Sequence, residues 1–174
     1  MQQALRFSRQ QCDYAHVLWQ DMLAAYGDKH SPVYWRQRAQ RRAYQGAIVH
    51  HLLQACHSLA TAVLKQLADT QVQQTTDLSL FAILTLLQQQ AYLSAPAKLV
   101  QAALKDGHMA QLQTAQHVFN AAGTATGARA VDQEGDVNLL ASDSLEDPDL
   151  WPVGQWLRAQ QTLLETVQAE LLEC

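Results

Sequence analysis

The most continuous hydrophobic pattern of the chain lies in residues 41–65, where apolar side chains recur at helical spacing in two neighbouring rows. The first row is Tyr44, Ile48, Leu52, Ala55, Leu59 and Val63, and the second is Val49, Leu53, Cys56, Ala60, Leu64 and Leu67. Only a narrow polar line remains, formed by His50, Gln54, His57, Thr61 and Lys65. A helix that is apolar on most sides is buried by several neighbours, so this pattern predicts a long central helix.

Local signals indicate where this central helix begins and ends. Ser31 and Pro32 offer an N-cap followed by a proline at the first helical position. The helix is therefore predicted to begin near Pro32 and to run to about Ala68. Gly46 is a plausible site for a bend within it.

The rest of the chain predicts four or five further helices around the central one. The first covers residues 2–26, with Phe7, Tyr14, Leu18, Met22 and Ala25 on its apolar face and Gly27 after its end. The later helices are predicted at residues 78–93 after a cap at Asp77, from Ser94-Ala95-Pro96 to about Asp106, at residues 108–122, and from Pro152 onward. The sequence thus predicts an all-α fold, a single-domain bundle of five or six helices spanning residues 1–174.

Residues 123–150 have a different composition from the predicted helices. They contain three glycines, seven acidic residues and one arginine, a net charge of −6. Such a segment cannot build a core of its own, so it is predicted to be a flexible acidic loop or an arm that docks loosely.

Cysteine usage and hydropathy predict a cytoplasmic protein without membrane contact. Cys12, Cys56 and Cys174 are widely spaced and form no CxxC pair, which is typical of a reducing compartment. The first residues lack the apolar core of a signal peptide. The apolar run near residues 78–87 is too short to span a bilayer.

Catalytic and metal-binding patterns are not found in the sequence. Residues 41–65 hold three histidines but no carboxylate, and no histidine pair has the i, i+4 spacing that suits a metal on a helix. No glycine-rich phosphate loop, GxSxG or HExxH is present. We therefore expect no enzyme activity, no cofactor and no metal. His51 and His57 are candidates for a weaker alternative, small-molecule binding in the bundle core.

A cluster of basic and aromatic residues is the main candidate contact surface. This basic cluster consists of Trp35, Arg36, Arg38, Arg41 and Arg42. Residues 1–50 have a net charge of +4 while the whole chain has −4, so the positive charge is local. Because cations near a helix N-terminus oppose the macrodipole, something is expected to offset that cost. The candidates are a protein partner, the acidic segment of the same chain, a nucleic acid, or only the surrounding water.

The chain resembles an uncharacterised family of short helical gammaproteobacterial proteins, known only as a domain of unknown function. The resemblance lies in Arg41-x-Ala43 leading to Leu52-Leu53-x-x-Cys56-His57, in Ala95-Pro96-x-x-Leu99-Val100, and in the helix over residues 156–174. It implies no activity. The expected function is a non-enzymatic adaptor or regulatory protein that binds another protein or a second copy of itself. Nucleic-acid binding through residues 34–42 is the first alternative.

Overall fold

The computed structural model describes residues 2–26, 37–67, 78–90, 92–124, 145 and 148–172. These residues form six α-helices and no strands, in agreement with the predicted all-α bundle. The helices are α1 (Gln2–Tyr26), α2 (Arg38–Leu67), α3 (Leu80–Gln89), α4 (Ala95–Lys105), α5 (His108–Thr124) and α6 (Val153–Leu172), with a short 3-10 turn at Pro148–Leu150 before α6.

Helix α2 lies at the centre of the bundle and contacts each of the other five helices. Leu52, Ala55, Cys56 and Leu59, predicted to be nearly inaccessible, are completely buried. The two apolar rows read from the sequence therefore face neighbours on several sides of this helix, and the prediction of a central helix is confirmed.

The predicted start of α2 is wrong. Gln37 lies in a turn, and the helix begins at Arg38, with the backbone N–H of Arg41 donating to the carbonyl of Gln37 at 3.0 Å. The expected cap at Ser31 and Pro32 lies outside the described residues. As a consequence, Arg38 and Arg41 belong to the first turn of the helix, where the backbone N–H groups create a positive end.

The absence of a side chain at Gly46 allows α2 and α5 to approach each other closely. Helix α2 runs unbroken through this position. A Cβ atom added to Gly46 would meet the ring of Phe119 in α5 at 2.5 Å from Cζ, much closer than van der Waals contact. The glycine therefore gives Phe119 room to pack on α2.

The buried face of α1 differs from the predicted one. Ser8, Gln11, Cys12, Ala15, Met22 and Tyr26 are buried, whereas Phe7 and Tyr14 of the predicted apolar face are exposed. Small residues allow α1 and α2 to approach closely, and hydroxyl groups tie them together. Ser8 donates to the carbonyl of Ala55 at 2.9 Å, and Ser58 donates to the carbonyl of Ala4 at 2.8 Å.

The later helices begin and end mostly where local signals predict. The bounds of α4, α5 and α6 agree with the proline and glycine signals for helix ends at Pro96, Gly107 and Pro152. Helix α3 is shorter than predicted and its cap is Ser79, whose hydroxyl accepts from the backbone N–H of Ala82 at 3.2 Å. Asp77, the predicted cap, lies outside the described residues.

One helix in the described part of the chain, Arg38–Gln66, is long and apolar enough to cross a membrane by length and composition alone. Within the bundle, 56% of that apolar window is buried. A core helix of a soluble protein passes the same test, so the expected absence of membrane contact stays a prediction.

Candidate functional site

The basic cluster is not the continuous exposed surface that its sequence suggests. Trp35 and Arg36 lie outside the described residues. Arg38 is exposed and Arg42 is half-buried, but Arg41 has 0% exposure. Arg41 therefore offers no surface to an external partner, which corrects its assignment as a contact residue.

A segment that precedes α6 occupies the position expected for an anionic partner. The carboxylate of Asp149, itself buried, accepts a short hydrogen bond from Nη2 of Arg41 and lies 3.7 Å from Nε of Arg38. Gln45 in α2 donates to the carbonyl of Pro148 at 2.6 Å. This geometry agrees with the alternative in which the acidic segment neutralises the basic cluster.

The acidic segment contacts the bundle at its C-terminal end. Pro148 and Asp149 are buried, and the indole N–H of Trp151 donates to the carbonyl of Leu145 at 2.9 Å. Mobility or loose docking of the arm over residues 123–150 stays a prediction. Residues 125–144 and 146–147 lie outside the described residues.

His51 and His57 contact different neighbours and do not form one site. Nδ1 of His51 lies 2.7 Å from Oε1 of Gln11, and its ring packs edge-on against Tyr14. Nε2 of His57 lies 2.6 Å from the carbonyl oxygen of Leu78, so this nitrogen carries the proton and donates. Burial, and secondly the nearby His50, lower the pKa of His51. Among the described residues, no three His, Cys, Asp or Glu side chains are grouped to hold a metal ion.

A second polar group is buried where α2, α5 and α6 meet. Oε1 of Gln160 accepts from the thiol of Cys56 at 3.2 Å and lies 2.7 Å from Nε2 of His108. Burial raises the pKa of Cys56 well above its usual value and lowers the pKa of His108, although the bond to Gln160 opposes the latter. Burial therefore favours the protonated thiol, which is a poor nucleophile, and the group joins three helices.

Two surface grooves offer space for ligands. A groove of about 320 Å³ between α1 and α6 is lined by charged side chains of both signs, including Arg9, Asp13 and Glu165. Burial, and secondly Asp13, raise the pKa of Cys12 in this groove to about 12. A groove of about 370 Å³ between α4 and α6 has mainly apolar walls, including Leu99, Ala103 and Leu163. His51 and His57, the predicted ligand residues, line neither groove. Neither groove therefore places a ligand cavity beside them.

An ordered row of exposed apolar side chains lies on the outer face of α1. Phe7, Tyr14 and Val17 are 42%, 45% and 55% exposed and follow one stripe along the helix. We call the exposed row Gln3, Phe7, Gln10, Tyr14, Val17 and Asp21 the α1 stripe. It lies beside the buried face of α1, and the ring of Tyr14 at its edge contacts His51 of α2. Sequence reasoning assigned Phe7 and Tyr14 to the core and so missed this surface.

No family model, curated protein or solved structure matches this chain. The resemblance to an uncharacterised helical family therefore stays a prediction, and only the geometry of the molecule bears on its function.

Proposed function

We propose that this protein is a non-enzymatic adaptor or regulatory protein that acts through protein–protein contacts, in the cytoplasm. The observation that carries the proposal is the α1 stripe, in which three large apolar side chains are exposed at helical spacing on a helix that packs on the core through another face. Scattered surface apolar residues are normal in proteins, but an ordered row on one helix face is typical of helix recognition.

The chemistry of the described polar groups supports the same proposal. The two buried cysteines have raised pKa values, and His51 and His57 donate to or accept from neighbouring protein groups. These arrangements stabilise helix contacts. The apolar side chains of the α1 stripe stay exposed to a partner.

The nucleic-acid alternative receives less support from the basic cluster. Asp149 places a carboxylate against both Arg41 and Arg38, which lowers the positive potential available to phosphates. Binding to random oligonucleotides with a steep salt dependence would favour this alternative over the adaptor proposal.

Capture from a native lysate with matched variants tests the adaptor proposal. The test variant is Phe7→Glu/Val17→Glu, and the control is Phe81→Glu, which changes an apolar side chain that is 73% exposed on α3. Because all three positions are exposed, folding should be preserved in both variants, as circular dichroism would verify.

We expect one or more proteins, a second copy included, to be retained by the wild type and the Phe81 variant and lost with the α1 variant. The same set of bound proteins for all three would overturn the proposal.

A further inference from the structure

The α1 stripe has the spacing of a coiled-coil seam. Its members follow one another at alternating intervals of four and three residues, and every one of them is exposed. The neighbouring face of α1, with Ser8, Ala15 and Met22, is occupied by the bundle core. A second helix laid along the stripe would therefore meet side chains at successive a and d positions.

Charge varies along the stripe from one end to the other. Arg6 flanks the stripe near its N-terminal end, and Asp21 closes it near the C-terminal end. Two such helices in parallel would place like charges together. Two antiparallel helices would place Arg6 of each copy beside Asp21 of the other, and two-fold symmetry makes the contact twice.

We propose that the α1 stripe binds a second copy of this chain, with the two α1 helices antiparallel about a two-fold axis. This inference rests on the proposed function and names the partner of the same surface. In the register that uses the whole stripe, Phe7 lies opposite Val17 of the partner subunit, Gln10 opposite the partner's Tyr14, and Gln3 opposite the partner's Asp21. Each layer then pairs an a position with a d position, as antiparallel helices require.

This register has one unfavourable contact, and that contact distinguishes it from a register shifted by one heptad. Asp13 follows Gln10 along the exposed edge and lies beside the two-fold axis, so the Asp13 carboxylates of the two copies approach each other. Asp13→Asn is therefore expected to tighten the dimer. A shift of one heptad would place Asp13 opposite Gln20 of the partner subunit, and the same substitution would then have little effect.

Sedimentation velocity over a concentration series tests the proposal directly. A contact made by one helix from each copy falls toward the small end of specific interfaces, so dissociation is expected at about 10 µM. Val17→Glu should weaken the dimer by more than about tenfold, because it buries a charge in an apolar layer. Phe81→Glu on α3 is the matched control and should change nothing.

Charge reversal tests the antiparallel orientation. Arg6→Glu or Asp21→Arg alone should weaken association by about tenfold, since each turns two symmetry-related attractions into repulsions. The double variant Arg6→Glu/Asp21→Arg should restore the wild-type dissociation constant. Failure of this rescue would overturn the antiparallel arrangement.

A wild type that stays monomeric at every concentration would overturn self-association as a whole. If such a monomer still captures a different protein, and Val17→Glu abolishes that capture, the adaptor function survives while the second copy is excluded as partner. If the monomer captures nothing, both proposals fall.

Discussion

The ion pair of Arg41 and Asp149 joins side chains that lie 108 residues apart in the sequence. Both groups are buried, and Arg38 approaches the same carboxylate from the surface. A buried pair contributes little relative to apolar residues of similar size, but a single buried charge without its partner is very unfavourable. The pair therefore fixes where the segment before α6 docks on α2.

Asp149→Asn should reduce the free energy of unfolding by about 3–5 kcal/mol, because it removes the negative charge that faces the buried guanidinium of Arg41. The matched control is Asp106→Asn, whose exposed carboxylate lies 4.0 Å from Nζ of Lys105. That control should change stability by less than about 0.5 kcal/mol. Urea unfolding measures both, and equal effects would show that Asp149 is not a buried partner.

His108 should make the protein less stable in mild acid. Burial lowers the pKa of His108 in the folded state below its ordinary value of 6.5, while the unfolded chain keeps that value. Above pH 6.5 the imidazole is neutral in both states. As the pH falls below 6.5, the unfolded state binds the proton first, so the free energy of unfolding decreases.

The variant His108→Gln should therefore show a shallower loss of stability between pH 7 and pH 5 than the wild type, in chemical unfolding at several pH values. His117→Gln, at an exposed position of the same helix, is the control. An unchanged slope in the His108 variant would contradict the role assigned to burial. The lowered pKa of His51 acts in the same direction and is present in all three proteins.

Contacts of this kind could not be predicted from the sequence. Spacing placed Arg41 with Arg38 and Arg42 as a basic surface, but its burial depends on Asp149, which lies 108 residues away. The group of Cys56, His108 and Gln160 likewise joins three helices. Periodicity reports which side of a helix is apolar, and it carries no information about which distant side chain will meet a given charge.

At the scale of helices, local signals predicted most bounds but not the start of α2 or the cap of α3, and packing decided which face of α1 is buried. The bounds of α1 and of α4 to α6 follow from capping and from proline or glycine at the ends. The buried face of α1 was misassigned because close packing on α2 selects Ser8, Gln11 and Ala15, which give no strong hydrophobic signal. The large apolar side chains of Phe7 and Tyr14 on the same helix are exposed at the surface.

Gly46 provides a test of close packing between α2 and α5. Gly46→Ala improves helix propensity by about 1 kcal/mol, but its methyl group would lie 2.5–3.0 Å from ring atoms of Phe119. We expect a net loss of stability of about 1 kcal/mol or more, because adding volume to a packed contact forces neighbours to shift.

A double-mutant cycle separates the two contributions at Gly46. With Phe119→Leu, the obstructing ring is removed, and Gly46→Ala should become neutral or stabilising by up to about 1 kcal/mol. Thermal and urea unfolding of the four proteins in the cycle would measure the coupling. If Gly46→Ala stabilises the wild-type background as well, the ring moves aside readily and the glycine has no packing role.

At the scale of the whole molecule, the apolar surface is distributed unevenly. Helix α2 directs its two apolar rows into the bundle, and the segment around Asp149 neutralises part of the positive charge at its start. The outer face of α1 keeps an ordered row of large apolar side chains. The molecule therefore combines a closed core with one helix face suited to binding another helix, which is the basis of the proposed adaptor function.

Site-specific photo-crosslinking compares this face with the rest of the surface most directly. A benzophenone-bearing amino acid would replace Tyr14 in one protein and Tyr92 in another, since Tyr92 is a matched tyrosine that is 92% exposed outside α1. Irradiation in native lysate should give a discrete cross-linked protein product at position 14 and none at position 92. No discrete product at position 14, or the same products at both positions, would contradict the claim that the protein acts through contacts on α1.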